Sequence, residues 1–366
     1  MKIKKVLIKG AYGTKNFGDD LLMIISHDIM KNHNFEVHLL APKMRYIQKL
    51  IPNAKINCNN DNKKYDLLLY GGGTQFFHFE KGVNKNKVKL VKCIEKLVSL
   101  FFSPSRIKGA ILRRIRKNID IKNKAYLGVG LGPFNNYAVQ KNILENFLNS
   151  KFIAVRDEKS KNYLENTGIK AILGSDLCFS SFFSKILKVQ NANIEKVQLG
   201  IILRDWDKSE SGVVSESQIK KLIAAIEKKN MSYRFLFFSE IHDKKWIRFC
   251  VKNNFRYIVW DPDEMSINHF MGVVHACKHI VSSRYHGLVL ASLHNIPFTC
   301  LSIEDKISTF AKKFPFFNNV FFPFNLHTCI FDTQWPAEAT KVVYSERQKA
   351  DEMLLKFTEI IGNNDD

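Results

Sequence analysis

Short, almost wholly apolar runs alternate with longer amphipathic stretches along this chain. In the first half the runs are 5–9 (KVLIK), 35–40 (FEVHLL), 65–70 (YDLLLY), 125–129 (AYLGV) and 152–155 (FIAV). Segments this short, without polar alternation, predict strands buried on both faces, as in a parallel sheet covered by helices. A helix is expected from about 19 to 31, soon after the first run. Beyond a connector at about 180–196 the pattern restarts, with runs at 198–203 (QLGIIL), 234–238 (RFLFF), 256–259 (RYIV), 279–281 (HIV) and 298–301 (FTCL). The expected architecture is α/β: two Rossmann-like domains with parallel sheets and a ligand cleft between them. The domains are expected over 1–185 and 186–335, with a C-terminal helix and tail over 336–366. The helical part of that tail covers about 345–361 and is amphipathic, suited to packing back across both domains.

One stretch breaks the alternation. Residues 97–117 (LVSLFFSPSRIKGAILRRIRK) mix apolar clusters with six basic side chains, within an insertion expected over about 80–124. A basic amphipathic helix on an anionic membrane surface has this composition. A mobile cover over the cleft would have it too, and so would a solvated helix with one buried face.

Charge sharpens the choice of partner. The 366 residues carry 56 Lys plus Arg against 35 Asp plus Glu, a formal charge of +21. Such an excess favours something anionic: nucleic acid, a membrane surface or a phosphorylated substrate. Codon bias towards Lys and Asn accounts for the excess equally well. The seven cysteines are scattered with no CxxC pair, which points to a reducing compartment. The opening MKIKKVLIKG is too short and too lysine-rich for a secretory segment, and no apolar run of about 18 residues offers a membrane span. A cytoplasmic location is expected on these grounds.

In an open parallel sheet, ligands bind beyond the carboxyl ends of the strands. Three loops there carry polar residues that need explaining. The first, GAYGTKNFGDD, lacks GxGxxG spacing but sets Asn16, Asp19 and Asp20 at a helix start. Asp19 would serve as a helix cap, and an exposed acid here could bind or deprotonate a sugar hydroxyl. The second is Gly71, Gly72, Gly73 and Thr74, expected as a loop after the third strand that lets a ligand approach the backbone. The third, Ser283, Arg284, Tyr285, His286 and Gly287, sets an arginine and a histidine beside a helix N-terminus. Free N–H groups and the helix dipole favour an anion at that place. Arginine adds a planar fork for phosphate or carboxylate, and histidine a proton near neutral pH. A core histidine beside a surface arginine is the plainer alternative. Arg204 ends the strand QLGIIL and should open into the same cleft, whereas Arg156 with Asp157 suits either a loop-fixing ion pair or a ligand site. His269, His275, Cys277 and His279 lie close in sequence without the spacing of a tetrahedral site, so no metal is expected.

Taken in order, GAYGTKNFGDD, YGGGTQF, LGVGLGPF, AVRDEKSKNYLENTG, LGSDLCF, LGIILRDW and SSRYHGLVLASLHNIPFTCLSIEDK resemble the polysaccharide pyruvyl transferase family over residues 6 to about 310. The GSDLC at 174–178 departs from the Gly-Asp-Pro or Asp-Pro turn frequent there, and 80–124 matches nothing. The resemblance implies a GT-B-like fold, phosphoenolpyruvate as donor and co-substrate without a further cofactor, and a ketal-linked pyruvate on a saccharide. It places the donor on Arg204, Arg284 and His286, with Ser283 and Gly287 beside them. His286 is then the candidate acid, Asp19 or Asp20 the base, and Asn16, Gly71, Gly72, Gly73, Thr74 and Arg156 the acceptor side. A polyprenyl-linked acceptor at the inner membrane face would give the basic 97–117 stretch a purpose. Two other readings stand beside this one. A nucleotide-sugar glycosyltransferase of the same fold could use Glu304 or Asp305 on a ribose, and a non-catalytic binder of an anionic polymer or nucleic acid would account for the charge alone.

Overall fold

The computed structural model describes residues 4–42, 44–57, 64–78, 119–186, 194–206, 212–321, 324–326, 331 and 334–362. Within them two all-parallel sheets form. The first has the order β3-β2-β1-β4-β5-β6-β7, built from β1 (Lys5–Lys9), β2 (Glu36–Leu40), β3 (Lys55–Asn57), β4 (Lys64–His78), β5 (Asp120–Phe134), β6 (Phe152–Val155) and β7 (Ile172–Leu173). The second has the order β10-β9-β8-β11-β12-β13, from β8 (Val197–Ile202), β9 (Tyr233–Phe237), β10 (Tyr257–Val259), β11 (Cys277–Ser282), β12 (Phe298–Leu301) and β13 (Asn319–Val320). The apolar pattern does not announce β3, β7 and β13, because two or three residues are too few for a run to stand out. Strand order reverses between β1 and β4 in one sheet and between β8 and β11 in the other. Those two reversals are where adjoining loops diverge and leave a crevice.

Helix α1 (Phe17–Asn32) follows β1 and begins earlier than expected. Its cap position is Asn16, so Asp19 lies inside the first turn and is not the cap. The first helical N–H finds its partner in the other half of the molecule, with Phe17 N donating to the Phe238 carbonyl at 2.9 Å. The Phe17 ring then packs against Phe238, Trp260 and Phe270, with centroids 5.4, 4.9 and 4.6 Å away. This apolar plug seats the start of α1 against the second sheet, and Lys15 flanks it at 3.2 Å from Asp261 and 2.7 Å from Asp263.

The glycine triplet is not a loop. β4 continues through it, with Gly71 paired to Leu127, Gly73 to Val129 and Thr74 to Gly130. Gly72 and Gly73 hold φ of +69° and +75°, a backbone that other residues rarely adopt, so the strand can bend here without breaking. β5 begins at Asp120, inside the span expected as insertion. The remainder of that span, with the basic 97–117 stretch, lies outside the described residues.

The C-terminal helix is longer than its apolar pattern suggested, running over Ala337–Gly362. Its Phe357 ring meets Phe152 of the first sheet at 5.2 Å, while Glu346 accepts from Ser175 and from Lys313, both at 2.6 Å. One helix thus contacts both halves of the chain. No helix among the described residues is long and apolar enough to cross a membrane.

Candidate active site

The two strand-order reversals face each other across one cleft. From the first half it is lined by Asn16, Asp19, Gly73, Thr74 and Arg156, and from the second by Arg204, Arg284, His286 and Lys306. Phe77 and Trp206, at the ends of β4 and β8, face each other at its rim with ring centroids 6.4 Å apart.

Each cation is held differently. Arg284 caps the helix over Tyr285–Leu293 and its side chain is buried against Asp243, to which it donates through Nη2. Asp243 is fixed in turn, accepting the N–H groups of Phe238 at 3.0 Å and Ser239 at 3.1 Å. Arg284 Nε stays buried without a hydrogen-bond partner among the described residues. Lys306 pairs with Glu304 at 3.0 Å, and burial holds its ammonium below the usual lysine range. Arg156 donates to Asp176 at 3.2 Å and Thr74 at 2.7 Å and lies over the Tyr285 ring, 4.1 Å from its centroid. Arg204 makes no ion pair among the described residues. It rests 5.2 Å from the Trp206 ring, and burial, reinforced by Arg284, lowers its guanidinium from the ordinary value. A half-buried guanidinium with no ion pair, beside a second one, is an environment that an anion would relieve.

The backbone explains why Arg204 points there. Ser283 Oγ accepts the Arg204 N–H at 2.7 Å and donates to the Arg204 carbonyl at 2.9 Å. Ser283 is therefore a clasp between β8 and β11, and its hydroxyl does not line the cleft. Gly287 does not line it either. A Cβ there would come within 2.4 Å of Ser282 Oγ, so close helix packing requires the glycine. Gly71 and Gly72 are likewise away from the cleft wall; of the triplet only Gly73 reaches it.

Adjacent acids divide sharply. Asp19 faces the cleft, and burial raises its carboxyl to about 6, opposed by Lys306, Arg204, Arg284 and Arg156. Asp20 points the other way. It accepts from Trp260 Nε1 at 2.9 Å and Tyr46 Oη at 3.2 Å, with its carboxyl pushed up to about 7, again by burial. Asp20 is part of the seam between the halves and has no access to a substrate.

His286 is not a ready acid by itself. Burial, then Arg156, Lys306 and Arg284, bring its imidazole down to about 4, while Asp176 acts in the opposite sense. At neutral pH it is uncharged until something anionic offsets those cations. Asp176, Cys178 and His286 bring ligand atoms within 4.8 Å of one another. The trio suits a charge network better than a cation site, since Arg156 already donates to the carboxylate and burial keeps the Cys178 thiol protonated.

Sequence reasoning missed Lys306, Asp243, Asp176 and the aromatic rim. Lys306 had a signal, as a basic residue soon after a strand end in the segment FTCLSIEDK. Asp176 lies in the GSDLC segment, but nothing there indicates its partner, and Asp243 had no signal, because their roles depend on arginines 20 and 41 positions away.

Comparison with known proteins agrees with this arrangement. The chain superposes on a UDP-N-acetylglucosamine 2-epimerase from Rickettsia bellii at a TM-score of 0.52 and 10% identity, covering 100% of this chain and 97% of that one. A putative UDP-N-acetylglucosamine 2-epimerase from Listeria monocytogenes gives 0.51 and 9%, covering 97% and 91%. At such identities the likeness shows the fold alone, a GT-B-like pair of parallel-sheet domains. No curated protein sequence matches the chain. The family-level profile described as polysaccharide pyruvyl transferase matches residues 16–305, most of the length and both sides of the cleft, and the chain belongs to that family.

Proposed function

We propose that the protein transfers pyruvate from phosphoenolpyruvate to a saccharide, forming a cyclic ketal. The observation that carries the reading is Arg204, half-buried without an ion pair among the described residues, beside Arg284 at the cap of a helix and His286 two residues on. Phosphoenolpyruvate brings a phosphate and a carboxylate on three carbons, and Arg204, Arg284 and Lys306 match that charge.

The chemistry follows from the bonds that change. An acid protonates C3 of the enol, which becomes the methyl carbon, and positive charge develops at C2. A sugar hydroxyl adds to C2 and loses its proton to a base; the C2–O bond to phosphate breaks, and phosphate departs with a proton. A neighbouring hydroxyl adds to C2 and loses its proton, closing the ketal. His286 is the acid in this scheme. The donor's negative charge offsets Arg156, Arg284 and Lys306, so binding itself favours the imidazolium. Arg204 and Arg284 stabilise the departing phosphate. Asp19, poised near 6 at the opposite wall, takes the hydroxyl proton. Asn16, Thr74 and Gly73 border the acceptor. The acceptor is carried on a polyprenyl phosphate at the inner membrane face, a reading that the +21 net charge supports.

A nucleotide-sugar donor is the second reading, favoured by Glu304 in the cleft wall. Glu304 Oε1 lies 3.0 Å from Lys306 Nζ and Asp305 pairs with Lys159, so a ribose would compete with a cation at either acid. Thermal denaturation with phosphoenolpyruvate and a panel of nucleotide sugars separates the two. A ligand at a hundredfold excess over its Kd stabilises the folded state by about 2.7 kcal/mol. Stabilisation by phosphoenolpyruvate that vanishes in Arg204→Ala is the expected result. A response to nucleotide sugars alone would overturn it.

A further inference from the structure

His286 is held between two neighbours. On one side Gly18 gives it room, since a Cβ at that glycine would lie 2.2 Å from Nδ1. On the other, Asp176 Oδ2 lies 3.8 Å from Nε2. That nitrogen is buried and has no hydrogen-bond partner among the described residues. The carboxylate facing it is fully buried and immobilised on both oxygens. Oδ1 accepts the Cys178 N–H at 3.1 Å, and Oδ2 accepts from Arg156 Nη1 at 3.2 Å. Arg156 is pinned by Thr74 and Tyr285, so the carboxylate cannot swing away from the ring.

We propose that Asp176 is the positioning residue for the transfer: it directs the Nε2 proton of His286 towards itself and stabilises the imidazolium that forms when an anionic donor is bound. The inference rests on the acid role given to His286 above. Geometry supports it, because the Nδ1 edge of the ring lies on the Gly18 side and the Nε2 edge on the Asp176 side. Charge supports it as well. Of the charged groups acting most strongly on the ring, Arg156, Lys306 and Arg284 oppose a positive imidazole, and Asp176 favours one. Burial would by itself raise the Asp176 carboxyl, but His286 and Arg156 outweigh burial and hold it below the usual carboxylate range. The acid is therefore faced by a permanent negative charge. In this arrangement Asp176 acts only through His286 and touches no substrate.

Nitrogen and carbon NMR of histidine-labelled full-length protein tests this with phosphoenolpyruvate as the probe, the His286 signal being assigned by its loss in His286→Gln. In the wild type, the nitrogen shifts of neutral His286 should show the proton on Nε2; a proton on Nδ1 would overturn the proposal without any variant being needed. On adding phosphoenolpyruvate, the His286 midpoint should rise. In Asp176→Asn that midpoint should fall by roughly one unit or more, a tenfold loss of the protonated form, and Asp176→Glu should restore part of it. An equal rise in wild type and Asp176→Asn would sink the role of Asp176 while leaving the donor assignment intact. A His286 signal indifferent to phosphoenolpyruvate in the wild type would remove the donor reading and this inference together.

Discussion

The start of α1 and the start of the helix over Tyr285–Leu293 occupy equivalent places beside the two strand-order reversals, yet they contribute opposite chemistry. The first presents an acid, Asp19, whose burial brings its titration near neutrality. The second presents Arg284, anchored to a buried carboxylate, and His286, which burial and then the surrounding cations keep neutral. A cleft built this way has a cationic wall, with Arg284 held by Asp243 before any ligand arrives. Opposite stands a wall with one group able to take a proton. Such a division suits a reaction in which a charged donor must be neutralised on one side and a neutral hydroxyl activated on the other. Within the cationic wall there is a second contrast: Arg284 is paired, whereas Arg204 has no ion pair among the described residues.

Substitutions can break each contrast in turn. The largest effect is expected from Arg284→Ala, which strands the buried Asp243 carboxylate and should cost about 3–5 kcal/mol in urea denaturation, as well as any response to phosphoenolpyruvate. Arg204→Ala should lose the same response while changing stability far less, because it leaves no carboxylate unpaired. Equal destabilisation of the two would show that the pairing difference has no energetic meaning. Next comes the pair of acids. Asp19→Asn should lower ketal formation on a suitable saccharide by about a hundredfold with phosphoenolpyruvate binding retained. Asp20→Asn should leave binding intact and alter the pH dependence of stability. The folded-state value of Asp20, about 7, lies above the unfolded one near 3.8. The protein therefore binds the extra proton when folded, and this stability is present below about pH 4 and lost as pH rises through 7. In Asp20→Asn that slope should flatten.

A subtler effect concerns the proton itself. If donor binding charges His286, calorimetric titration with phosphoenolpyruvate in buffers of different ionisation enthalpy should show proton uptake near pH 6. The uptake should disappear in His286→Gln. The smallest effect is expected at the rim of the seam. Lys15→Ala removes partly exposed ion pairs to Asp261 and Asp263 and should cost under about 1 kcal/mol, leaving the donor response unchanged.

Much of the fold and part of the cleft are legible in the chain itself. Apolar runs such as KVLIK and QLGIIL show as strands because a parallel sheet buried on both faces excludes polar side chains from both. Arg204, Arg284 and His286 can be picked out because they closely follow such runs, and strand ends are where a crevice opens. The glycine triplet misleads because a turn and a bent strand ask for the same permissive backbone. Asp19 and Asp20 cannot be told apart at all. They are neighbours in sequence, but successive helical positions point about 100° apart. One therefore looks into the cleft and the other into a seam.

The alternation of strands and helices, the doubling of that pattern and the polar residues at the strand ends are all written into the chain, since each depends on local burial and local backbone preference. Which of those residues share a cleft, and in what protonation state, depends on the folded molecule. Asp20 is closed off by Trp260, 240 positions along the chain, and His286 is kept uncharged by burial and by cations from elsewhere in the fold. Burial and Coulomb interactions act through space, and a linear pattern does not record the distances on which they depend.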